Sequence, residues 1–152
     1  MRLRHGLAVA AASLVIAGPV ASPGAPGYEI AIVAGDAQRV VMQAGAATFE
    51  PLVVHLTDGR GRDAAGIPVR FACLAPHEGC YLASPQGGVS ATVSTGRDGR
   101  AVLGTRKGGV YVYWTRQLYT RKNPSPVVVF ASSPSGAGVR FRLVPVNPYS
   151  LL

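Results

Sequence analysis

The sequence predicts an all-β protein, a two-sheet antiparallel sandwich, and three observations carry that expectation. Apolar residues from residue 28 onward alternate with polar ones and do not sustain helical spacing. Turn-forming clusters interrupt the chain at short intervals: D-G-R-G-R-D at 58–63, R-D-G-R at 97–100 and S-P-S-G-A-G at 133–138. The 19 Gly and 12 Pro lie mostly singly between short apolar runs, which marks many turns and not a low-complexity tract.

The individual elements follow from the alternation. Leu52, Val54 and Leu56 alternate with Val53, His55 and Thr57. Ile67, Val69, Phe71 and Cys73 alternate with Pro68, Arg70 and Ala72, and Val139, Phe141 and Leu143 with Arg140 and Arg142. A period of two is that of a half-buried strand. Strands are expected near 29–33, 38–43, 51–57, 67–73, 80–83, 89–95, 100–105, 109–116, 126–131 and 138–146. Asp98-Gly99 is a hairpin signal. Strands this short favour a sandwich over a parallel α/β fold. One run is ambiguous, because Val110-Tyr111-Val112-Tyr113-Trp114 is apolar on both faces. Hydrophobicity alone buries Val110, Val112 and Trp114, and a slip of one residue exchanges the faces.

A length of 152 residues suits one domain. The hydrophobic fraction of 48% supports a core. The charged fraction is 14%, against about 25% for an average soluble chain, which excludes disorder and a coiled coil. Residues 1–25 read as a signal peptide and short linker. Arg2 and Arg4 precede an apolar run from Gly6 to Ile16, and small residues and Pro follow. Val15 and Ala17 suit cleavage before Gly18. A run of eleven residues is too short for a membrane span, which takes roughly 20. An exported chain is expected, periplasmic, at the cell surface or extracellular, with 26–152 as a single domain. Removing Arg2 and Arg4 from the 15 Lys and Arg leaves 13 against seven Asp and Glu, a formal +6.

Cys73 and Cys80 are the two cysteines. In an exported chain they are expected to pair, and Pro76 and Gly79 let the short loop between them turn back. The alternative is a metal site of Cys73, His77 and Cys80, with His55 as a fourth ligand only if folding brings it there. No catalytic residues, metal or cofactor are expected. The sequence has no G-x-S-x-G elbow. His55 near Asp58 reads as a solvated strand end rather than as a base and its orienting group. Asp58 and Asp63 flank a loop, but Arg60 and Arg62 between them do not suit calcium. Gly87-Gly88 and Gly108-Gly109 lack the Gly-Lys-Ser/Thr continuation of a phosphate loop.

One constellation stands as a binding candidate. Arg97, Arg100, Arg106, Lys107, Arg116, Arg121 and Lys122 fall between residues 97 and 122, opposed there by Asp98 alone. Tyr111, Tyr113, Trp114 and Tyr119 are interleaved with them. Cations beside aromatic rings suit anion attraction combined with stacking.

Four stretches resemble the group 1 bacterial Ig-like domain found in the invasin and intimin adhesins. They are A-G-D-A-Q at 34–38, F-E-P-L-V-V-H-L-T-D-G-R-G-R-D-A-A-G-I-P-V-R-F at 49–71, T-G-R-D-G-R-A at 95–101 and K-G-G-V-Y-V-Y at 107–113. The resemblance spans about residues 34–116 in matching order. It implies an immunoglobulin-like sandwich with no catalytic residues, and it would bury Tyr111 and Tyr113 with Trp114 outward. The expected function is a non-enzymatic extracytoplasmic module for adhesion, envelope association or protein assembly, with a protein or cell-envelope component as partner. The alternative is binding of anionic polymers or glycans through 97–122; nucleic acid is not expected.

Overall fold

The computed structural model describes residues 27–74, 79–83, 88–113 and 122–152. Residues 1–25, where a signal peptide and short linker are expected, lie outside the described residues. Eleven strands follow in order: β1 (Tyr28–Ala34), β2 (Arg39–Val41), β3 (Ala46–Phe49), β4 (Leu52–Asp58), β5 (Pro68–Cys73), β6 (Cys80–Leu82), β7 (Ser90–Ser94), β8 (Arg100–Leu103), β9 (Val110–Tyr113), β10 (Val127–Ser132) and β11 (Gly138–Val146). A 3-10 turn, Pro148–Leu151, follows them. The fold is all-β, as expected. Among the described residues no helix is long and apolar enough to cross a membrane.

The strands form three hydrogen-bonded sheets, ordered β1-β4-β8, β2-β11-β10-β5-β7 and β3-β9-β6. Two sheets had been expected, and the third has a local cause. β3 and β4 are one path interrupted at Glu50-Pro51, and β8 and β9 one path interrupted at 104–109. Proline has no N–H to give the ladder. Opposite it, Gly109 donates to the Phe49 carbonyl at 2.8 Å. A Cβ on Gly109 would stand 2.7 Å from the Leu103 carbonyl oxygen and 2.8 Å from Pro51 Cα, so only glycine lets the paths bend together. Among the described residues every strand pairing is antiparallel except that of β2, which runs parallel to β11 from Arg39 opposite Val144.

The inward positions of all three sheets meet in one core. Phe49, Leu52, Val54 and Leu56 face Val69, Phe71, Val129, Phe141 and Leu143, each buried without remaining exposure. Phe71 and Phe141 stack obliquely with centroids 6.5 Å apart. Burying side chains of this size contributes about 1.5–3 kcal/mol each, so the alternation that predicts the strands also supplies the main driving force.

Three local outcomes differ from expectation or decide between alternatives. β3 falls where no strand was expected, because Ala46-Ala47-Thr48-Phe49 carries weak alternation; Ala47 and Phe49 nevertheless turn inward. Asp98-Gly99 does not close a hairpin. The strands it joins belong to different sheets, β7 pairing with β5 and β8 with β4. The turn is local: Gly96 donates to the Arg100 carbonyl, and Gly99, at φ +72°, donates to the Gly96 carbonyl. In β9 it is Val110 and Val112 that are buried, while Tyr113 is exposed and Tyr111 half-buried. Hydrophobicity decides that register, and the faces implied by the Ig-like resemblance are corrected. Trp114 lies outside the described residues.

Candidate functional site

Of the residues singled out between 97 and 122, the described ones do not share one surface. Arg97, on the turn before β8, and Arg100, at the first position of β8, are exposed beside the 58–63 turn. Leu56 donates to the Gly99 carbonyl there at 2.8 Å, and Arg100 lies cross-strand from His55. Asp98 Oδ1 accepts the Arg100 backbone N–H at 3.1 Å, and its Oδ2 stands 3.9 Å from the Arg100 guanidinium. Arg106 and Lys107 sit at the other end of β8, roughly 15 Å away by strand rise. They occupy a tight turn whose ends, Thr105 and Gly108, bond reciprocally through their backbones at 3.0 and 3.1 Å. Lys122 is exposed, and its carbonyl accepts from Asn147 Nδ2 at 3.0 Å. Trp114, Arg116, Tyr119 and Arg121 lie outside the described residues.

The turn at Arg106 and Lys107 adjoins a tyrosine face. Burial of Val110 and Val112 sends Tyr111 and Tyr113 outward, and burial of Cys80 and Leu82 sends Tyr81 outward on β6. Tyr81 is 47% exposed and Tyr113 51%, with their rings edge-to-face at 5.7 Å. The Tyr111 hydroxyl donates to the Lys107 carbonyl at 3.3 Å, tying the face to the turn. An open depression of about 130 Å³ lies beside it, lined by Thr48, Glu50, Pro51, Arg106 and Lys107 among others. Such an arrangement offers ring faces for stacking and both donors and an acceptor for hydroxyl groups.

The 58–63 turn uses its acids separately. His55 Nε2 lies 2.7 Å from Asp63 Oδ1, so Asp63 and not Asp58 is its partner. Asp58 Oδ1 accepts the backbone N–H groups of Arg60 at 2.8 Å and Arg62 at 3.0 Å, and Oδ2 takes the Arg62 Nε–H at 2.9 Å. The backbone bonds from Arg62 and Arg60 hold the Asp58 carboxyl below its ordinary value of 3.8. With the two carboxylates committed to different partners, they do not converge on a cation. No group of three or more His, Cys, Asp and Glu able to hold a metal occurs among the described residues.

Cys73 and Cys80 form a disulfide, as expected of an exported pair and in place of the metal alternative. His77, the middle ligand of the metal alternative, lies outside the described residues. The bridge joins the end of β5, where Cys73 pairs with Val129, to the start of β6, where Cys80 pairs with Val112. It therefore ties the five-stranded sheet to the tyrosine-bearing one.

A second basic surface escaped the sequence reading. Arg39, Arg70, Arg140 and Arg142 all point outward from the five-stranded sheet and are exposed. The signal was available in the R-F-R pattern of β11, whose inward Phe141 fixes both neighbours outward; what the sequence lacked was the strand order that brings Arg39 and Arg70 to the same face. A comparison of the chain with models of known protein families finds no match, and neither does a comparison with curated protein sequences.

Proposed function

We propose that the chain is an extracytoplasmic, immunoglobulin-like module without a catalytic role, acting through its surface in adhesion, envelope association or assembly with another protein. The observation that carries this reading is the Cys73–Cys80 bridge between two sheets of an all-β body, since such bridges persist in oxidising compartments. The division of the leading segment adds support: β1 pairs with β4, while β2 crosses to run parallel to the last strand. Fractionation of cells expressing a C-terminally tagged chain tests it. The chain should appear outside the cytoplasm, shortened at its N-terminus and resistant to thiol alkylation before reduction. A full-length, reduced chain confined to the cytoplasm would refute the reading.

A second reading is favoured by one observation, the exposed Tyr81–Tyr113 pair beside Arg106 and Lys107. On this reading the tyrosine face stacks on the rings of a glycan, with the depression receiving its polar groups. Glycan-array binding that is lost in Tyr113→Ala but kept in Val102→Ala, an exposed position on another strand, supports it. Equal binding by both variants would sink it.

A further inference from the structure

The five-stranded sheet carries its charge in an ordered way. Arg39 on β2 is level with Val144 of β11. Arg142 and Arg140 come one and two pleats further along β11, opposite Val128 and Phe130 of β10. Arg70 on β5 lies opposite Ser132, which is itself opposite Gly138 of β11, one pleat beyond Arg140. The four arginines therefore descend diagonally across the sheet. With strands about 4.8 Å apart and about 6.8 Å per two residues, their backbone positions are spaced about 7–12 Å and the row is about 25 Å long.

Among the described residues the row is unneutralised. None of the seven acidic residues lies on these five strands. Among the described residues none of the four arginines makes an ion pair; the ion pairs present involve His55, Arg62 and Arg100. Asp36 touches the sheet from the turn before β2, its Oδ1 accepting the Arg142 backbone N–H at 2.9 Å. Arg140 is held over the Phe130 ring, 5.8 Å from its centroid. That ring lies across Gly138, where a Cβ would collide with its edge. The outward positions of β7 at the sheet edge, Ser90, Thr92 and Ser94, are exposed hydroxyls.

We propose that this face binds a linear acidic polysaccharide, whose carboxylates meet the arginine row and whose hydroxyl groups meet the β7 hydroxyls. Charge complementarity selects a polyanion. Guanidinium groups suit planar, bidentate recognition of carboxylates. Phe130 is half-buried and capped by Arg140, so the face offers no free ring for stacking nucleic-acid bases. The inference rests on the reading of a surface-acting extracytoplasmic module, and it places polyanion binding away from the 97–122 region.

The test is affinity electrophoresis and calorimetry of the purified full chain with polygalacturonate, neutral dextran and single-stranded DNA at low and high salt. The expected result is salt-sensitive binding of polygalacturonate, no retention by dextran and weaker binding of the DNA. Exposed charge pairs contribute about 0.2–1 kcal/mol each, up to about fivefold in affinity, so Arg140→Ser with Arg142→Ser should weaken binding by up to about 25-fold. Arg60→Ser with Arg97→Ser removes the same charge from the turns and should leave it within about twofold. Asp36→Asn should tighten it. Unchanged melting temperatures keep folding out of the comparison. Equal losses in the two double variants, no binding of polygalacturonate, or tighter binding of DNA on this face would each overturn the proposal. A cytoplasmic, reduced chain would refute the compartment reading while leaving this binding measurable, so the two failures are distinguishable.

Discussion

Opening the Cys73–Cys80 bridge should lower the melting temperature by about 10 °C. The bridge spans a sequence separation of seven, so it closes a loop of eight residues in the unfolded chain. The loop-closure relation gives about 8 cal/mol/K for such a ring, or about 2.5 kcal/mol at 25 °C. For a body of roughly 125 residues, unfolding entropy near the midpoint is about 0.26 kcal/mol/K, which converts the loss to about 10 °C. The sulfur of Cys73 is held by a backbone already fixed on both sides: Cys73 donates to Val89 at 2.8 Å and Leu74 to Val128 at 2.9 Å. The reduced fold should therefore keep its sheets and lose stability chiefly through the freer unfolded state. Thermal melts followed by near-ultraviolet circular dichroism would compare the oxidised protein, the reduced protein and the Cys73→Ala/Cys80→Ala variant. The variant should melt a few degrees below the reduced protein, because Cys80 is buried and its sulfur contacts are also lost. A shift under about 2 °C on reduction would refute the reasoning, since it would mean that the bridge adds no constraint to the unfolded chain.

Three further outcomes follow from local geometry. Asp58, whose carboxyl is held below 3.8 by the Arg62 and Arg60 backbone bonds, contributes stability that is complete above its unfolded value and is lost as pH falls through the lower folded value; Asp58→Asn should flatten the wild-type fall in melting temperature below about pH 4. Thr95 is buried, donating from Oγ1 to the Ala64 carbonyl and accepting from the Ile67 N–H at 2.9 Å. Thr95→Val keeps the shape but strands both partners and should cost about 2 kcal/mol in urea unfolding. Val112→Ala should cost about 2 kcal/mol by the same assay, while Tyr113→Ser changes stability by less than about 1 kcal/mol; the reverse order would mean that β9 presents its other face.

The interior was largely legible because burial imposes period two on any chain that satisfies it. Ten of the eleven strands announce themselves through residues such as Leu52, Val54 and Leu56. β3 does not, since Ala46 and Thr48 contrast little with Ala47. The connectivity was less legible. Asp98-Gly99 marks a turn correctly, yet turn chemistry describes four residues and is silent about which sheet the next strand joins. Gly99 serves the crossing from β7 to β8 because Leu56 bonds to its carbonyl, and a Cβ there would stand 2.5 Å from the Leu56 carbonyl oxygen. The arrangement of the binding candidate was less legible for a related reason. Grouping cations by sequence proximity gathered Arg97, Arg100, Arg106 and Lys107, which a strand then carries to opposite ends.

Outward positions on a sheet obey a different logic from inward ones. An inward residue is constrained by every neighbour in the core, so its identity reports the fold. An outward residue on an extended strand is constrained mainly by cross-strand partners, and like charges brought side by side there carry a cost unless something else holds or uses them. Arg140 and Arg142 share one face of β11, and the Phe130 ring holds only Arg140. Arg142 has the Asp36 carboxylate against its backbone rather than its guanidinium. A sheet needing only solubility could mix signs, as the 58–63 turn does with Asp58, Arg62 and Asp63. The five-stranded face does not mix them, which is why its charge, more than the higher density of cations between 97 and 122, points to a ligand.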